Sequence, residues 1–284
     1  MSRGLAIGIL VGSLILPSCK TVDVSERTFF RPRPCEDVGV GSVQAPYEDV
    51  RISAGDDVRL QVLLAPHPSS RAVLIHFGGN ELRHCLGGAG ADAQLRTRFR
   101  GWASDHEVSI AFVNYRGYGG SGGRPSIEDG ARDALAVHDA LMRDARLTGQ
   151  PVIAYGQSLG AAFAIRLAAE RPVRALVLES PPTTARAVLE NATPWYVKPF
   201  VRYRIADALS RQDNAAAIRA VSVPLLVLVG TDDRITPPRM AAALVKSCNA
   251  RHKTLAAIPG HHGDLPRRDE LWAVLTSFIR TALA

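Results

Sequence analysis

Short runs of consecutive apolar residues recur along the chain and are separated by polar stretches. Seven of them have the length of a β-strand: Val58 to Leu64, Ala72 to Phe77, Val108 to Asn114, Val152 to Tyr155, Ala175 to Leu178, Leu225 to Val229 and Thr254 to Ile258. A run that is apolar at almost every position, rather than at alternate positions, indicates a strand buried on both faces. The pattern predicts a mostly parallel central sheet, and we expect the first two strands to pair antiparallel at an edge.

The stretches between these runs carry apolar residues at spacings of three and four, the period of an amphipathic helix. Five helices are predicted: Asp92 to Ser104, Ile127 to Arg143, Ala161 to Ala169, Pro238 to Ser247 and Arg268 to Leu283. Strands that alternate with helices predict an α/β protein with helices on both faces of the sheet. A longer insert at about residues 183–222 interrupts the alternation and contains Trp195, Tyr196, Phe200 and Tyr203.

The first residues differ from the rest of the chain. Arg3 precedes an uncharged apolar stretch from Leu5 to Leu16, which has the length of a signal-peptide core and is too short to span a bilayer. We therefore predict a signal peptide over residues 1–18 and an exported protein. The stretch ends in Leu16-Pro17-Ser18-Cys19, which resembles a bacterial lipobox with an unusual proline. Cys19 is the candidate for lipidation and membrane attachment; cleavage nearby without lipid, an uncleaved anchor or a wrongly assigned start are the alternatives.

The next segment, residues 19–45, is rich in Pro, Ser, Gly and charge and lacks apolar periodicity. This composition predicts a tether, followed by a single catalytic domain over residues 46–284. The full chain of 284 residues has the size of one large α/β domain. Cys35 and Cys85 are a possible disulfide pair, but free or buried thiols are an equal alternative because the sequence gives no distance between them.

The net charge of +7 comes from 34 basic and 27 acidic residues that are interspersed along the chain. No run of five or six like charges occurs, and no basic helix with interleaved aromatic residues is present in the sequence. We therefore expect a solvated surface and no nucleic-acid partner.

The motif Gly156-Gln157-Ser158-Leu159-Gly160 stands between the apolar run that ends at Tyr155 and the helical stretch that begins at Ala161. A G-x-S-x-G sequence between a strand and a helix indicates a nucleophile elbow. Side chains at its two glycines would collide with the neighbouring strand or helix. A serine hydroxyl needs an adjacent base to become a nucleophile, and Ser158 is the candidate. An ordinary glycine-rich turn is the alternative.

In proteins with such an elbow, an acid and then a base follow the nucleophile along the chain. Asp233 lies just after the sixth apolar run, where its carboxylate can hold an imidazole in one tautomer, and the neighbouring Asp232 is its competitor. His262 follows the final run, and the adjacent His261 is its competitor. We predict a triad of Ser158, Asp233 and His262.

The oxyanion that forms during acyl transfer needs two backbone N–H donors. One is expected from Leu159, the residue after the nucleophile, and the other from the loop that follows the second apolar run. This loop reads His76-Phe77-Gly78-Gly79-Asn80, and its paired glycines let the backbone approach a substrate. We assign the second donor to Asn80; a neighbouring amide or a simple tight turn is the alternative.

Five features in chain order resemble those of the α/β-hydrolase superfamily from about Val58 to the C-terminus. They are Phe77-Gly78-Gly79-Asn80, the segment from Asn114 to Ser126, the elbow, the motif from Gly230 to Pro237 and the Gly-x-His-x-Asp ending. The chain looks closest to the branch that includes protein depalmitoylases and exported bacterial hydrolases. In that branch the position of Gly78 is often His, so the oxyanion loop departs from the commoner form.

The resemblance implies an α/β-hydrolase fold in which the insert at 183–222 forms a small cap over the active site. It also supports the triad and the two oxyanion donors, but it names no substrate.

The residues predict a serine hydrolase that cleaves a carboxylic ester or thioester of a small or acylated substrate. The chemistry is complete without a metal or organic cofactor. A serine peptidase or amidase and a non-catalytic binding lipoprotein are the alternatives. The aromatic residues from Trp195 to Tyr203 would form either an acyl pocket or the core of the cap, and the sequence indicates no oligomeric state.

Overall fold

The computed structural model describes residues 19–35, 47–85 and 91–284, so the predicted signal peptide lies outside the described residues. The strands within these ranges are β1 Lys20–Val24, β2 Glu48–Ser53, β3 Arg59–Ala65, β4 Ala72–Phe77, β5 Val108–Val113, β6 Val152–Gln157, β7 Ala175–Glu179, β8 Val201–Ile205, β9 Leu225–Gly230 and β10 Lys253–Ile258. The helices are α1 Glu26–Phe29, α2 Ala91–Asp105, α3 Ile127–Leu141, α4 Gly160–Glu170, α5 Ala185–Ala192, α6 Asp207–Arg211, α7 Asn214–Ala217, α8 Pro238–Ser247 and α9 Asp269–Leu283.

Eight strands of the described chain form one sheet in the order β10-β9-β7-β6-β4-β5-β3-β2. The pairs from β10 to β5 are parallel, whereas β3 and β2 run antiparallel to their neighbours. Apolar side chains pack on both faces: Val137 of α3 and Phe163 of α4 lie in one core, and Phe99 of α2 and Leu275 of α9 lie in the other. The predicted α/β architecture, with a mostly parallel sheet covered on both faces, is confirmed.

The predicted pairing of the first two strands is wrong. The strands β3 and β4 do not pair with each other, because β5 lies between them and pairs with β4 in parallel and with β3 antiparallel. The edge position belongs to β2, which the apolar pattern missed. Only Ile52 is buried in this strand, and its sequence Glu-Asp-Val-Arg-Ile-Ser alternates polar and apolar residues, so it contains no continuous apolar run.

Residues 19–35 are packed against the domain, which differs from the tether that the composition predicted. Within the described ranges, β1 pairs in parallel with β8 of the insert and forms a small separate sheet with it. Phe30 is buried, and Cys35 forms a disulfide with Cys85. Polar strands of this kind form because a partner strand satisfies their backbone groups, which the local composition does not reveal. Residues 36–45 of the predicted tether lie outside the described residues.

The insert at 183–222 contains α5, β8, α6 and α7, together with short 3-10 turns at Lys198–Phe200 and Ile218–Ala220. It connects β7 to β9 and extends over the carboxyl ends of the central strands, where residues of α5 and α6 line a cavity. Within the described ranges, no helix combines the length and the apolar character that crossing a membrane requires.

Candidate active site

Ser158 occupies the sharp turn between β6 and α4, and its backbone has a φ of 50°. This left-handed conformation costs a non-glycine residue on the order of 1–3 kcal/mol and persists only where the surroundings impose it. The Ser158 N–H donates to the carbonyl of Glu179 on the adjacent β7 at 2.8 Å. The turn therefore projects the serine side chain above the end of the sheet.

The two glycines of the elbow are required by close backbone contacts. A Cβ on Gly160 would lie 2.1 Å from the carbonyl oxygen of Phe77, and a Cβ on Gly156 would lie 2.6 Å from the carbonyl oxygen of Gly160. Neither contact involves a flexible side-chain end that could move away. The crossing of β4, β6 and α4 thus excludes any larger residue at these positions.

The structure brings Ser158, His262 and Asp233 together in one chain of hydrogen bonds. His262 Nε2 lies 3.0 Å from Ser158 Oγ, and His262 Nδ1 lies 2.8 Å from Asp233 Oδ2. The Asp233 side chain is fully buried, while 19% of the His262 side chain is exposed. Donation from Nδ1–H to the carboxylate leaves the Nε2 lone pair directed at the serine hydroxyl.

The Asp233 carboxylate is fixed by the turn that follows β9. Its Oδ1 accepts from the N–H groups of Ile235 at 2.9 Å and Thr236 at 2.8 Å. Burial alone would raise the pKa of Asp233. The hydrogen bond and the charge attraction from His262, together with the Thr236 N–H, outweigh burial, so this pKa lies below its ordinary value. The carboxylate is therefore ionised at neutral pH.

Thr236 is a site residue that the sequence reasoning missed, although it lies inside the quoted motif from Gly230 to Pro237. Its Oγ1 is 2.9 Å from Asp233 Oδ2, 3.0 Å from His262 Nδ1 and 3.0 Å from the Ser180 carbonyl. A hydroxyl at this point holds the acid and the imidazole in a fixed relation. The presence of a threonine three residues after a candidate acid, as in an Asx-type turn, was the available indication.

The competing residues lie outside this hydrogen-bond chain. Asp232 and His261 are exposed, and His261 Nδ1 is 3.2 Å from the backbone carbonyl of Asp232. The geometry therefore favours Asp233 over Asp232 and His262 over His261 as partners of Ser158.

The predicted oxyanion loop passes close to the serine. A Cβ built on Gly79 would lie 3.7 Å from Ser158 Cβ, so the backbone before Asn80 borders the reacting position. Leu159 stands at the start of α4, where the first N–H groups of a helix have no intrahelical acceptor. Within the described ranges, neither the Asn80 nor the Leu159 N–H donates to another protein backbone group. Both amides are thus available to a ligand oxygen.

Two tyrosines of the segment from Asn114 to Ser126 hold this loop. The Tyr115 hydroxyl donates to the Gly78 carbonyl at 2.6 Å, and the Tyr118 hydroxyl donates to the Asn80 carbonyl at 2.7 Å. The Tyr118 oxygen also accepts from the Arg31 N–H at 2.7 Å, which links the N-terminal segment to the loop. The segment from Asn114 to Ser126 therefore positions the predicted oxyanion loop.

A buried carboxyl group lies beneath the elbow and was also missed. Glu179 accepts from the Tyr155 hydroxyl at 2.6 Å and from Gln157 Nε2 at 2.9 Å. Burial is the main cause that raises the pKa of Glu179 above its ordinary value. The charge pattern of the sequence gave no indication of it, because a single Glu at the end of an apolar strand has no distinctive spacing.

A cavity of about 1080 Å³ opens above Ser158 and His262. Its apolar lining includes Phe29, Leu82, Val188, Leu189 and Leu209, which come from the N-terminal segment, the oxyanion loop and the insert. The aromatic residues at 195–203 are not part of this lining, so of the two alternatives for them the structure does not support the acyl pocket. Trp195 and Tyr196 are exposed, and only Tyr203 packs against the core.

Comparisons with known proteins agree with this architecture. The family model described as Serine aminopeptidase, S33 matches residues 88–213. The uncharacterised protein Rv2307c of Mycobacterium tuberculosis is 33% identical over 219 residues, which cover 77% of this chain and 73% of that protein. Alpha/beta hydrolase domain-containing protein 17B of Xenopus laevis is 28% identical over 216 residues, which cover 76% of this chain and 69% of that protein.

Among solved structures, an esterase of Pyrococcus furiosus matches with a TM-score of 0.71 at 17% sequence identity. The match covers 90% of this chain and 100% of the esterase chain. Identity this low shows a shared fold, and the sequence relatives extend the relationship to a family. The chain belongs to the α/β-hydrolase superfamily and is a hydrolase.

Proposed function

We propose that this hydrolase is a serine esterase or thioesterase with Ser158 as nucleophile, His262 as base and Asp233 as the orienting acid. The observation that carries the proposal is the hydrogen-bond chain from Ser158 Oγ through both nitrogens of His262 to Asp233, with distances of 3.0 and 2.8 Å. Nucleophile, base and orienting group within hydrogen-bond reach are the arrangement that activates a serine.

The first half of the reaction forms an acyl-enzyme. His262 Nε2 accepts the Ser158 proton while Oγ attacks the carbonyl carbon of the substrate, and the Asn80 and Leu159 amides donate to the resulting oxyanion. The protonated imidazole then gives its proton to the leaving alcohol or thiol as the bond to that group breaks. Asp233 stays ionised and stabilises the imidazolium throughout.

The second half uses water in place of the leaving group. His262 removes a proton from water, the hydroxide attacks the acyl carbon, and the oxyanion again receives the two backbone donors. Collapse releases the carboxylic acid and returns the proton to Ser158. These steps need only groups of this chain, the substrate and water.

Peptide or amide cleavage is the second candidate, because the matching family is described as a serine aminopeptidase. The charge of the cavity lining disfavours the aminopeptidase form of this alternative. Its described lining contains six arginines and four acidic residues: Arg31, Arg33, Arg83, Arg98, Arg234 and Arg267 against Glu81, Asp92, Asp232 and Asp264. A net positive lining disfavours the free α-ammonium group that an aminopeptidase substrate brings.

A substrate profile tests the proposal. We expect the purified protein to hydrolyse p-nitrophenyl esters or acyl-thioesters, and Ser158→Ala to abolish this activity while keeping the same thermal unfolding midpoint. Turnover of aminoacyl-anilides alone would assign a peptidase. Failure of a fluorophosphonate probe to label Ser158 would instead support the non-catalytic binding protein.

We also propose that the protein is exported and attached to a membrane through a lipid on Cys19. The support is the apolar stretch from Leu5 to Leu16 and the exposed thiol of Cys19. Mass spectrometry of the mature N-terminus is expected to show a chain that begins at a lipid-modified Cys19. An intact Met1, or an unmodified start elsewhere, would contradict this proposal.

A further inference from the structure

Exposed aromatic side chains are concentrated in one short stretch of the insert. Among the described residues, four large hydrophobic side chains are exposed, and three of them are Trp195 at 81%, Tyr196 at 62% and Phe200 at 43%. We call residues 195–200 the aromatic edge. Solvent-exposed aromatic residues gathered in six consecutive positions are unusual on a protein surface that faces only water.

The aromatic edge adjoins unpaired positive charge. Residues 191–206 contain no Asp or Glu, whereas Lys198 and Arg202 are exposed and form no ion pair within the described ranges. Arg204, further along β8, is paired with Asp23 at 3.2 Å, so its charge is largely neutralised. The aromatic groups are therefore flanked by cations that remain free to meet an anionic surface.

The start of β1 lies at the same place. The strand pairs in parallel with β8 so that Lys20 is opposite Val201, and the Cys19 thiol is 3.8 Å from the Pro199 carbonyl. Cys19 thus directly contacts the aromatic edge. The residues that precede it include the uncharged apolar stretch from Leu5 to Leu16.

This contact has a geometric consequence for any membrane attachment at residue 19. A lipid on Cys19, or an apolar segment retained before it, leaves no spacer between the bilayer and the insert. The aromatic edge must then lie at the bilayer surface. Aromatic rings at the headgroup level and cations beside anionic headgroups are the side chains that this interface favours.

We propose that the aromatic edge is a membrane-docking surface that binds the interface of a bilayer containing anionic lipid. Trp195 and Tyr196 enter the headgroup region, and Lys198 and Arg202 contact lipid phosphates. The docking rests on the proposed membrane attachment at residue 19 and not on the chemistry at Ser158. The aromatic edge follows α5, whose residues line the cavity, so docking holds the insert and the cavity wall at a defined height above the membrane.

Depth-dependent fluorescence quenching tests docking in the full chain. The protein is reconstituted in vesicles of phosphatidylcholine and phosphatidylglycerol, and brominated phosphatidylcholine serves as the quencher. Trp195 is exposed, whereas Trp102 is 6% exposed within the core. We expect brominated lipid to quench part of the emission, and Trp195→Phe, which keeps an aromatic ring, to remove the quenched part. Trp102→Phe is the matched control and should retain it.

The charged residues give a second measurement. Lys198→Glu with Arg202→Glu should reduce the quenched fraction on anionic vesicles, since each cation near such a surface changes the docking equilibrium roughly five-fold. The same variant should match wild type on pure phosphatidylcholine. These exposed substitutions are expected to leave the thermal unfolding midpoint unchanged.

Equal quenching of wild type and Trp195→Phe would overturn the proposal, because the aromatic edge would then lie away from the lipid. The same conclusion follows if a second copy of the chain or another protein covers Trp195 and vesicles do not.

Discussion

The two sides of the candidate active site are held by different kinds of contact. On one side, Ser158, Asp233 and His262 closely follow strands β6, β9 and β10 of the eight-stranded sheet. On the other side, the loop from Gly78 to Cys85 is held by tyrosine hydroxyls and by a disulfide to the N-terminal segment. The triad side depends on a backbone ladder, whereas the loop side depends on a few side chains from distant positions.

This difference separates two kinds of substitution effect. A change in a triad side chain leaves the ladder intact, so it should alter the chemistry with little loss of stability. A change in a group that holds the loop removes one of few restraints, so it should alter stability or the placement of the oxyanion donors.

Asp233→Asn should give the largest loss. The amide lacks the charge that stabilises the imidazolium and favours the wrong tautomer, so we expect kcat for an ester substrate to fall by about 10³ to 10⁴-fold. Asp232→Asn is the control, because Asp232 is exposed and outside the hydrogen-bond chain; its kcat should stay within a few-fold of wild type. Similar losses in both variants would show that the acid has been assigned incorrectly.

Removal of the disulfide tests the loop side. Cys35 and Cys85 are 50 residues apart, and a closed loop of that length contributes about 4 kcal/mol to the free energy of unfolding. In urea, the free energy of unfolding of the double variant Cys35→Ser with Cys85→Ser should be lower than that of wild type by this amount. Reducing agent should then not lower it further. Cys19→Ser, which removes an exposed cysteine outside the disulfide, should unfold like wild type. An unchanged unfolding midpoint in the double variant would contradict the role of this link.

The same contrast explains what the sequence could predict. Each of the three predicted triad residues lies just after an apolar run of the sequence. The structure brings them together because parallel strands align their carboxyl ends. The paired glycines likewise lie in the predicted oxyanion loop, whose backbone passes close to Ser158. These features are encoded locally, in residues that lie next to each other along the chain.

The contacts that hold the loop side join residues that are far apart along the chain. Neither the bond from Tyr118 to Asn80 nor the pairing of β1 with β8 leaves a periodic pattern in the sequence. The wrong pairing of β3 and β4 has the same origin, since strand order depends on where the α2 crossover places β5. Composition alone therefore suggested a tether where the structure has a folded segment.

His76, near the end of β4, provides a smaller test through pH. It is fully buried beneath the loop, and burial lowers its pKa to about 3. The unfolded chain binds a proton near pH 6.5 and the folded chain does not, so stability is lost as pH falls from 6.5 towards 3. Between pH 8 and pH 5, the free energy of unfolding of His76→Phe should therefore fall by about 2 kcal/mol less than that of wild type.

Urea unfolding at the two pH values measures this difference, and the change between them cancels any constant effect of the larger ring. His252→Phe is the control, because His252 is exposed and should behave like wild type. His84, also buried without a hydrogen-bond partner for its ring within the described ranges, keeps part of the acid sensitivity in the variant. Parallel pH profiles for wild type and His76→Phe would contradict the argument.

Tyr118→Phe should have the smallest effect and the most specific one. The Tyr118 hydroxyl orients the Asn80 peptide without touching the substrate. Its loss should therefore lower kcat about ten-fold, which is less than the effect of removing a direct oxyanion donor. KM should stay nearly unchanged. Tyr203→Phe is the control, since its hydroxyl bonds to Thr193 in the insert, away from the loop. An equal fall in both variants would indicate a general loss of stability. A fall in kcat confined to Tyr118→Phe would show that the Tyr118 hydroxyl helps to place the Asn80 donor.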